Sequence, residues 1–357
     1  MPRFHAATIT GKHAETLDSV VLHLSVPDDV ADEFAYEQGQ HLPVRALIDG
    51  KSVRRTYSIC ASVRDADLRL GIRLQENGVF SNYVSDKLQV GDTLEVMPPY
   101  GHFNARVSSP QAKSYAAFVA GSGITPILSI VKTALENEPN SRFFVFYGNR
   151  KRSTTMFIED LFALKNLYGE RLSLHFIMSQ EVTDIDLYAG RIDGDKAKAL
   201  HDAFMEANRA DDVFICGPNP MIDDVTGELE ELGYDKSRIH SERFRAGLKG
   251  EQIPKPKSSH IPKGGTEVTV VVDGNRQSFH MRADVGSILD AAQEAGLELP
   301  YSCKGGVCST CRCRLTKGDV DMARNYALEP WELDKGFILT CQSAPKTREL
   351  ELDYDQT

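Results

Sequence analysis

The chain has 357 residues, 41% hydrophobic and 26% charged, with a formal net charge of −10. Its length exceeds one ordinary core and predicts two or three domains, and its acidic balance excludes general nucleic-acid binding. No apolar run approaches the ~20 residues of a membrane helix. The start, MPRFHAATITGKH, lacks the apolar centre of a signal peptide, so a cytoplasmic protein without a membrane partner is expected.

Residues 1–108 carry short β-rich runs at 20–26, 41–48, 68–74 and 93–97, separated by Gly, Pro and Asp turns. They predict an antiparallel β-barrel domain, interrupted by a helix near 81–88. From 109 to 244 apolar strands (115–120, 142–147, 172–177, 212–216) alternate with helical segments (127–137, 157–167, 196–207, 221–232). That alternation predicts a doubly wound parallel α/β domain. Residues 245–265, rich in Pro, Gly and basic residues, read as a linker. Residues 266–357 form a third unit: a hairpin turning at Asp273-Gly274-Asn275, a helix at 287–295, a cysteine loop, and strands near 337–340 and 349–353.

The stretch 54-RRTYSIC-60 with 78-GVFSNYV-84 suits a flavin. Arg55 pairs with a phosphate, Tyr57 stacks on the ring system, and Ser58 hydrogen-bonds near the reactive ring nitrogen. Gly78 opens a helix whose N-terminus, with Ser81, fits a pyrophosphate. Thr56 and Phe80 complete this candidate set. Either piece alone is weak, because a tyrosine in a strand is more often core.

In 115-YAAFVAGSGITPILSIV-131 a strand runs into Gly121 and Gly123, whose small size lets backbone approach a pyrophosphate. Thr125 follows, and Pro126 fits a first helical position. The next strand–helix junction, 147-YGNRKRSTT-155, offers Arg150 and two more cations where NAD-preferring folds place an acid. It favours a 2′-phosphate and hence NADP(H) over a merely solvated loop. The last strand ends in 215-ICGPNPMI-222, placing Cys216, Gly217 and Met221 at the carboxyl edge of the sheet. Cys216 reads either as core or as a site residue facing a nicotinamide.

Four cysteines lie within 301-YSCKGGVCSTCRCRL-315, and Cys341 follows alone. The spacing Cys303-x4-Cys308-x2-Cys311, then Cys341, is that of a plant-type [2Fe–2S] cluster. Structural zinc more often uses two paired knuckles, so it fits this spacing poorly. Gly305 and Gly306 let N–H groups turn toward the sulfur atoms. Cys313 is surplus to the ligand set and reads as core.

RTYS, GSGITP and CGPNPM, in this order, resemble the ferredoxin–NADP⁺ reductase superfamily. With the cysteine loop behind them, nearly the whole chain is similar to the fused reductases of bacterial multicomponent oxygenases. Further matching stretches are GQHL at 39–42, YGNR, GRIDG at 190–194, ERF at 242–244 and GFILTCQ. The resemblance implies an FAD-binding barrel, an NAD(P)-binding domain and a β-grasp ferredoxin domain. It implies electron flow from NADPH through FAD and the [2Fe–2S] cluster to an oxygenase docking near the ferredoxin domain. It gives Ser58, Cys216 and Glu242 catalytic roles and puts Phe244 beside the flavin. Two features depart from the plant-type pattern: Phe244 does not end the chain, and Ser179-Gln180 stands where those reductases have Ser-Arg. The oxygenase is not written in the sequence: a steroid, alkane or ring hydroxylase is an alternative partner, and a non-enzymatic iron–sulfur or zinc module an alternative class. His41 and Trp331 read as structural.

Overall fold

A computed structural model describes residues 3–65, 67–104, 112–244 and 261–356. The expected linker falls outside the described residues as far as position 260, as does the expected boundary near 108. The chain divides into two compact units. The larger spans His5–Val53 and Tyr57–Arg243; the smaller spans Phe244–Thr357 with Met1–Phe4 and Arg54–Thr56. Among the described residues no helix is long and apolar enough to cross a membrane.

The larger unit begins with β1 (His5–Thr16), β2 (Ser19–Ser25), β3 (His41–Ile48), β4 (Lys51–Ser58, of which Arg54–Thr56 are counted with the smaller unit), β5 (Leu68–Arg73), α1 (Val79–Asp86) and β6 (Thr93–Val96). These strands form one sheet in the order β4-β3-β6-β1-β2-β5. The chain just past β4 returns to β5: Ile59 bridges Leu70, and Cys60 N–H donates to the Arg69 carbonyl at 2.9 Å. The two edges of the sheet are thereby joined, as a barrel requires. Ala7, Ile9, Leu22, Leu42, Val44 and Ile59 fill its interior, all with no exposed surface. The helix starts earlier than its apolar residues suggest, because Gly78 is its N-cap.

The rest of this unit is a strand–helix alternation: β7 (Ser114–Ala120), α2 (Ile124–Asn137), β8 (Arg142–Asn149), α3 (Ile158–Tyr168), β9 (Leu172–Met178), α4 (Gly194–Phe204), β10 (Asp212–Cys216), α5 (Asn219–Glu231) and β11 (Ile239–Glu242). The five strands are parallel, in the order β11-β10-β7-β8-β9. Continuous apolar runs such as YAAFVA follow from burial on both faces. Ala117 and Val119 pack with α2 and α3, whereas Ala116 and Phe118 pack with α4 and α5.

The smaller unit holds β12 (Thr266–Val272), β13 (Asn275–Met281), α6 (Ile288–Glu294), β14 (Arg312–Lys317), β15 (Val320–Met322), α7 (Pro330–Asp334), β16 (Phe337–Leu339), β17 (Ser343–Pro345) and β18 (Glu349–Asp353). Its main sheet runs β13-β12-β18-β14-β16. The pair β12–β18 is parallel, while β12–β13 and β14–β18 are antiparallel. Beneath it, Arg312 Nε meets Glu332 Oε1 at 2.7 Å, with both side chains buried. The other Glu332 oxygen accepts from Glu329 N–H at 2.9 Å, closing a capping box at α7. Burying this charge is tolerable only because the pair is complete. Glu332→Ala leaves the Arg312 cation without its counter-ion and should destabilise the unit by about 3–5 kcal/mol. Chemical denaturation followed by the fluorescence of Trp331, the one tryptophan and a residue of α7, measures the loss.

Candidate active site and cysteine cluster

Strand order reverses between β7 and β10: from β7 the chain moves outward through β8 and β9, then crosses to β10 and β11. The carboxyl ends of β7 and β10 flank this switch point, where open α/β sheets bind ligands. Gly121 and Gly123 follow β7; Cys216 and Gly217 close β10. The two glycines are required for different reasons. Gly121 has φ +56°, a left-handed conformation with open space where a side chain would stand. Gly123 has ordinary backbone angles, but a Cβ there would lie 2.3 Å from the Cys216 carbonyl oxygen. Tyr147, buried in β8, donates to the Gly121 carbonyl at 2.9 Å and pins the turn from below. Thr125 Oγ1 donates to the Ser122 carbonyl at 3.0 Å. Pro126 is the third helical residue, not the first, because α2 begins at Ile124. It still falls within the first turn, where backbone N–H groups lack intrahelical partners. Met221 packs beneath Gly217, its Cε 3.0 Å from where a Cβ would stand.

Parallel pairing of β10 with β11 sets Cys216 beside Glu242. The Glu242 carboxylate reaches the barrel: Ser58 Oγ, at the end of β4, donates to Oε2 at 3.2 Å, and His41 Nδ1, at the start of β3, lies 3.5 Å from Oε1. Ser58, His41, Cys216 and Glu242 are all buried. Burial first, then the Glu242 charge, push the Cys216 thiol well above its ordinary value. At neutral pH it is a neutral thiol, unsuited to nucleophilic chemistry. The structure brings Ser58, Cys216 and Glu242 together, and His41, expected to be structural, lies beside the same carboxylate.

On the barrel, Tyr57 is half-buried and packs against Phe80 with ring centroids 5.9 Å apart; Phe80 itself belongs to the core. Arg55 is exposed and Thr56 half-buried. At α1, a Cβ on Gly78 would stand 2.4 Å from Ser81 Oγ, so only glycine fits. Ser81 Oγ accepts from Gln75 N–H at 3.1 Å and donates to the Gly78 carbonyl at 3.3 Å, tying the preceding turn to the helix start. Lys12 caps the other end of α1, donating to the carbonyls of Ser85 and Leu88 at 2.7 Å each. The helix N-terminus therefore sits on a fixed body, with a glycine cradle suited to a phosphate.

Beyond β8, the exposed Arg150 lies in a loop zipped to the end of β9: Gln180 N–H donates to the Arg150 carbonyl at 2.9 Å, and Ser179 N–H to that of Asn149 at 2.9 Å. Glu181 Oε1 accepts from Arg152 N–H at 3.1 Å, so the basic loop also holds one carboxylate. Phe244, two residues past Glu242, is 42% exposed.

In the smaller unit the loop around Cys303 curls through left-handed residues at Lys304, Gly306 and Ser309. Its polar hydrogens turn inward: Gly305 N–H donates to Cys303 Sγ at 3.3 Å, Cys303 N–H to Cys308 Sγ at 3.4 Å, and Thr310 Oγ1 to Cys308 Sγ at 3.2 Å. Among the described residues no three His, Cys, Asp or Glu side chains converge on one point as a lone metal ion requires. The four cysteines come instead as two thiol pairs, Cys303 with Cys308 and Cys311 with Cys341. Such neighbouring thiols suit a two-iron cluster with two thiolates per iron. Cys313 is fully buried in β14, opposite Ile338.

Three family models match the chain: an oxidoreductase FAD-binding domain over 6–105, an oxidoreductase NAD-binding domain over 118–227, and a 2Fe-2S iron-sulfur cluster binding domain over 270–346. The chain is 41% identical to one of the subunits of the 1,2-phenylacetyl-CoA epoxidase of Escherichia coli K12, across 99% of both chains. It is 31% identical to the ferredoxin reductase component of 3-ketosteroid-9-alpha-monooxygenase of Rhodococcus rhodochrous, across 97% of this chain and 96% of that one. Its fold matches phthalate dioxygenase reductase with a TM-score of 0.58 and 24% identity, over 98% of each chain.

The close approach of Gly123 to β10 is directly testable. Gly123→Ala should keep bound flavin but slow its reduction by a nicotinamide dinucleotide by roughly one to two orders of magnitude. Stopped-flow measurement at the flavin absorption band reads both quantities.

Proposed function

The chain belongs to the reductase family that joins an FAD-binding, an NAD-binding and a [2Fe–2S] cluster-binding domain, and on that premise we propose that it feeds electrons from NADPH to an oxygenase acting on phenylacetyl-CoA. The observation that carries this reading is the 41% identity over 99% of both chains to an epoxidase subunit, against 31% for the steroid monooxygenase component. When bound, FAD accepts a hydride's two electrons and releases them singly, as a [2Fe–2S] cluster requires.

The chain's own residues hold and order these groups. Arg55 would pair with the flavin phosphates; Tyr57, packed on Phe80, would stack on the ring system; and Thr56 lies on the same strand. Gly78 and Ser81 present the N-terminus of α1 to the pyrophosphate. The assignment of Phe244 to the flavin rests on its spacing from Glu242. Gly121, Gly123, Thr125 and Pro126 receive the dinucleotide, with Gly217 and Met221 shaping the edge beside it. Ser58, Cys216 and Glu242 would line the place where the flavin and the nicotinamide are brought together. The Ser58 hydroxyl is held by Glu242 Oε2, and the same carboxylate faces His41, so the three polar groups orient one another at the buried centre. The neutral Cys216 thiol fills the sheet edge and excludes water. Cys303, Cys308, Cys311 and Cys341 hold the cluster. The oxygenase docks near the ferredoxin domain, because the cluster is the last carrier.

Arg150, with Lys151 and Arg152, supports NADPH over NADH, since a guanidinium pairs well with a 2′-phosphate. NADPH should give the higher kcat/KM with an artificial acceptor. Arg150→Ala should lower it about tenfold and leave NADH nearly unchanged. An NADH preference in the unaltered protein overturns this assignment.

The whole reading is tested by mixing the purified protein with the oxygenase subunits of a phenylacetyl-CoA epoxidase, NADPH and phenylacetyl-CoA. Product should form with the unaltered chain. Cys308→Ser should abolish product while flavin reduction by NADPH continues at a near-normal rate. Loss of both activities together would contradict separate roles for flavin and cluster.

A further inference from the structure

The smaller unit contains a chain of buried hydroxyl groups that packing alone does not explain. Past β18, Tyr354 is anchored by its N–H, which donates to the Val271 carbonyl at 3.0 Å, and its ring lies in the core. Its hydroxyl donates to Thr340 Oγ1 at 3.0 Å. Thr340, fully buried, donates in turn to the Cys311 carbonyl from both Oγ1 (3.1 Å) and its own N–H (3.2 Å). The acceptors fix the direction of this chain. A carbonyl only accepts, so the Thr340 proton is committed to Cys311, and the Tyr354 proton must then go to Thr340. Cys313, fully buried in β14, lies beside the same tyrosine.

We propose that Tyr354 and Thr340 form a positioning strut for the Cys311/Cys341 half of the iron–sulfur site. Thr340 adjoins Cys341 in sequence and grips the Cys311 main chain, so one hydroxyl fixes both members of the thiol pair. Tyr354 fixes that hydroxyl. Phenylalanine would fill the same core volume, so the tyrosine oxygen is the part that packing does not require. A satisfied buried network is rigid, and removing one member leaves its neighbours unpaired in a low-dielectric core. The carbonyl and thiolates it holds are among the dipoles and ligands that set a cluster's potential. This proposal rests on the assignment of Cys303, Cys308, Cys311 and Cys341 as cluster ligands.

The test uses the full-length holoprotein as Tyr354→Phe, Thr340→Val, the double variant and Thr340→Ser. The readouts are iron content, the EPR g-values and midpoint potential of the reduced cluster, and its bleaching rate in guanidinium with a chelator. Flavin content and flavin reduction by NADPH serve as controls. Tyr354→Phe should bleach about fivefold faster, the factor for one lost hydrogen bond, and Thr340→Val, which loses two, faster still. Both should shift the g-values and potential while the flavin readouts stay unchanged. The double variant should be no worse than Thr340→Val, and Thr340→Ser should restore unaltered behaviour. Wild-type g-values, potential and bleaching rate in Tyr354→Phe overturn the strut alone. Additive losses in the double variant do the same. An unaltered protein with no iron overturns the ligand assignment, and the strut with it.

Discussion

One buried carboxylate organises the larger unit. Glu242 stands at the end of an edge strand of the parallel sheet, in register with Cys216, yet its polar partners Ser58 and His41 come from the barrel. A carboxylate out of water must be paired or hydrogen-bonded. The barrel and the sheet therefore satisfy one another's polar requirement at the place where both present their candidate cofactor residues. Other links keep the distance: Ser129 Oγ donates to the Ala61 carbonyl at 2.6 Å, and Arg69 pairs with Asp160 at 3.1 Å. The glycines after β7 depend on this arrangement, because the room they leave is room against β10.

Much of this was legible in the sequence, for identifiable reasons. Strands buried on two faces read as unbroken apolar runs, so β7 to β10 stood out with nearly their observed ends. The glycine turns and the cysteine spacing announced themselves because their chemistry needs fixed residue types. What failed to announce itself depends on tertiary contact or broken periodicity. The twelve-residue β1 shows two register shifts against β2, and its outer half is polar, so no clean alternation survives. His41 read as structural because nothing local links it to a carboxylate 201 residues later. Tyr147 gripping Gly121, Lys12 capping α1 and Arg312 meeting Glu332 belong to the same class. Each side chain is ordinary for its element and acquires its role only through a distant partner.

The cysteine loop divides its work between sequence and fold. Spacing alone places three thiols on one curve of backbone. The left-handed residues that curl it are Lys304 and Ser309 as well as Gly306, so two of the three carry side chains in a conformation that usually favours glycine. The fold supplies the rest: inward N–H groups at one pair, and the strand that delivers Cys341 to Cys311 at the other. The two pairs thus have different supports, one local to the loop and one built from the sheet.

The sheet order β13-β12-β18-β14-β16 has its latest strand in sequence at its centre. β18 joins β12, which begins at Thr266, to β14, which leads out of the cysteine loop. Until β18 docks, those two strands have no common neighbour, and the contacts it makes span long loops with a high entropy of closure. Closing this sheet is therefore a long-range step in the folding of the unit. Metal capture and sheet closure become one linked equilibrium, in which ligand binding energy is also folding energy. Holding a cluster at Cys303, Cys308, Cys311 and Cys341 would therefore add to the stability of the folded sheet.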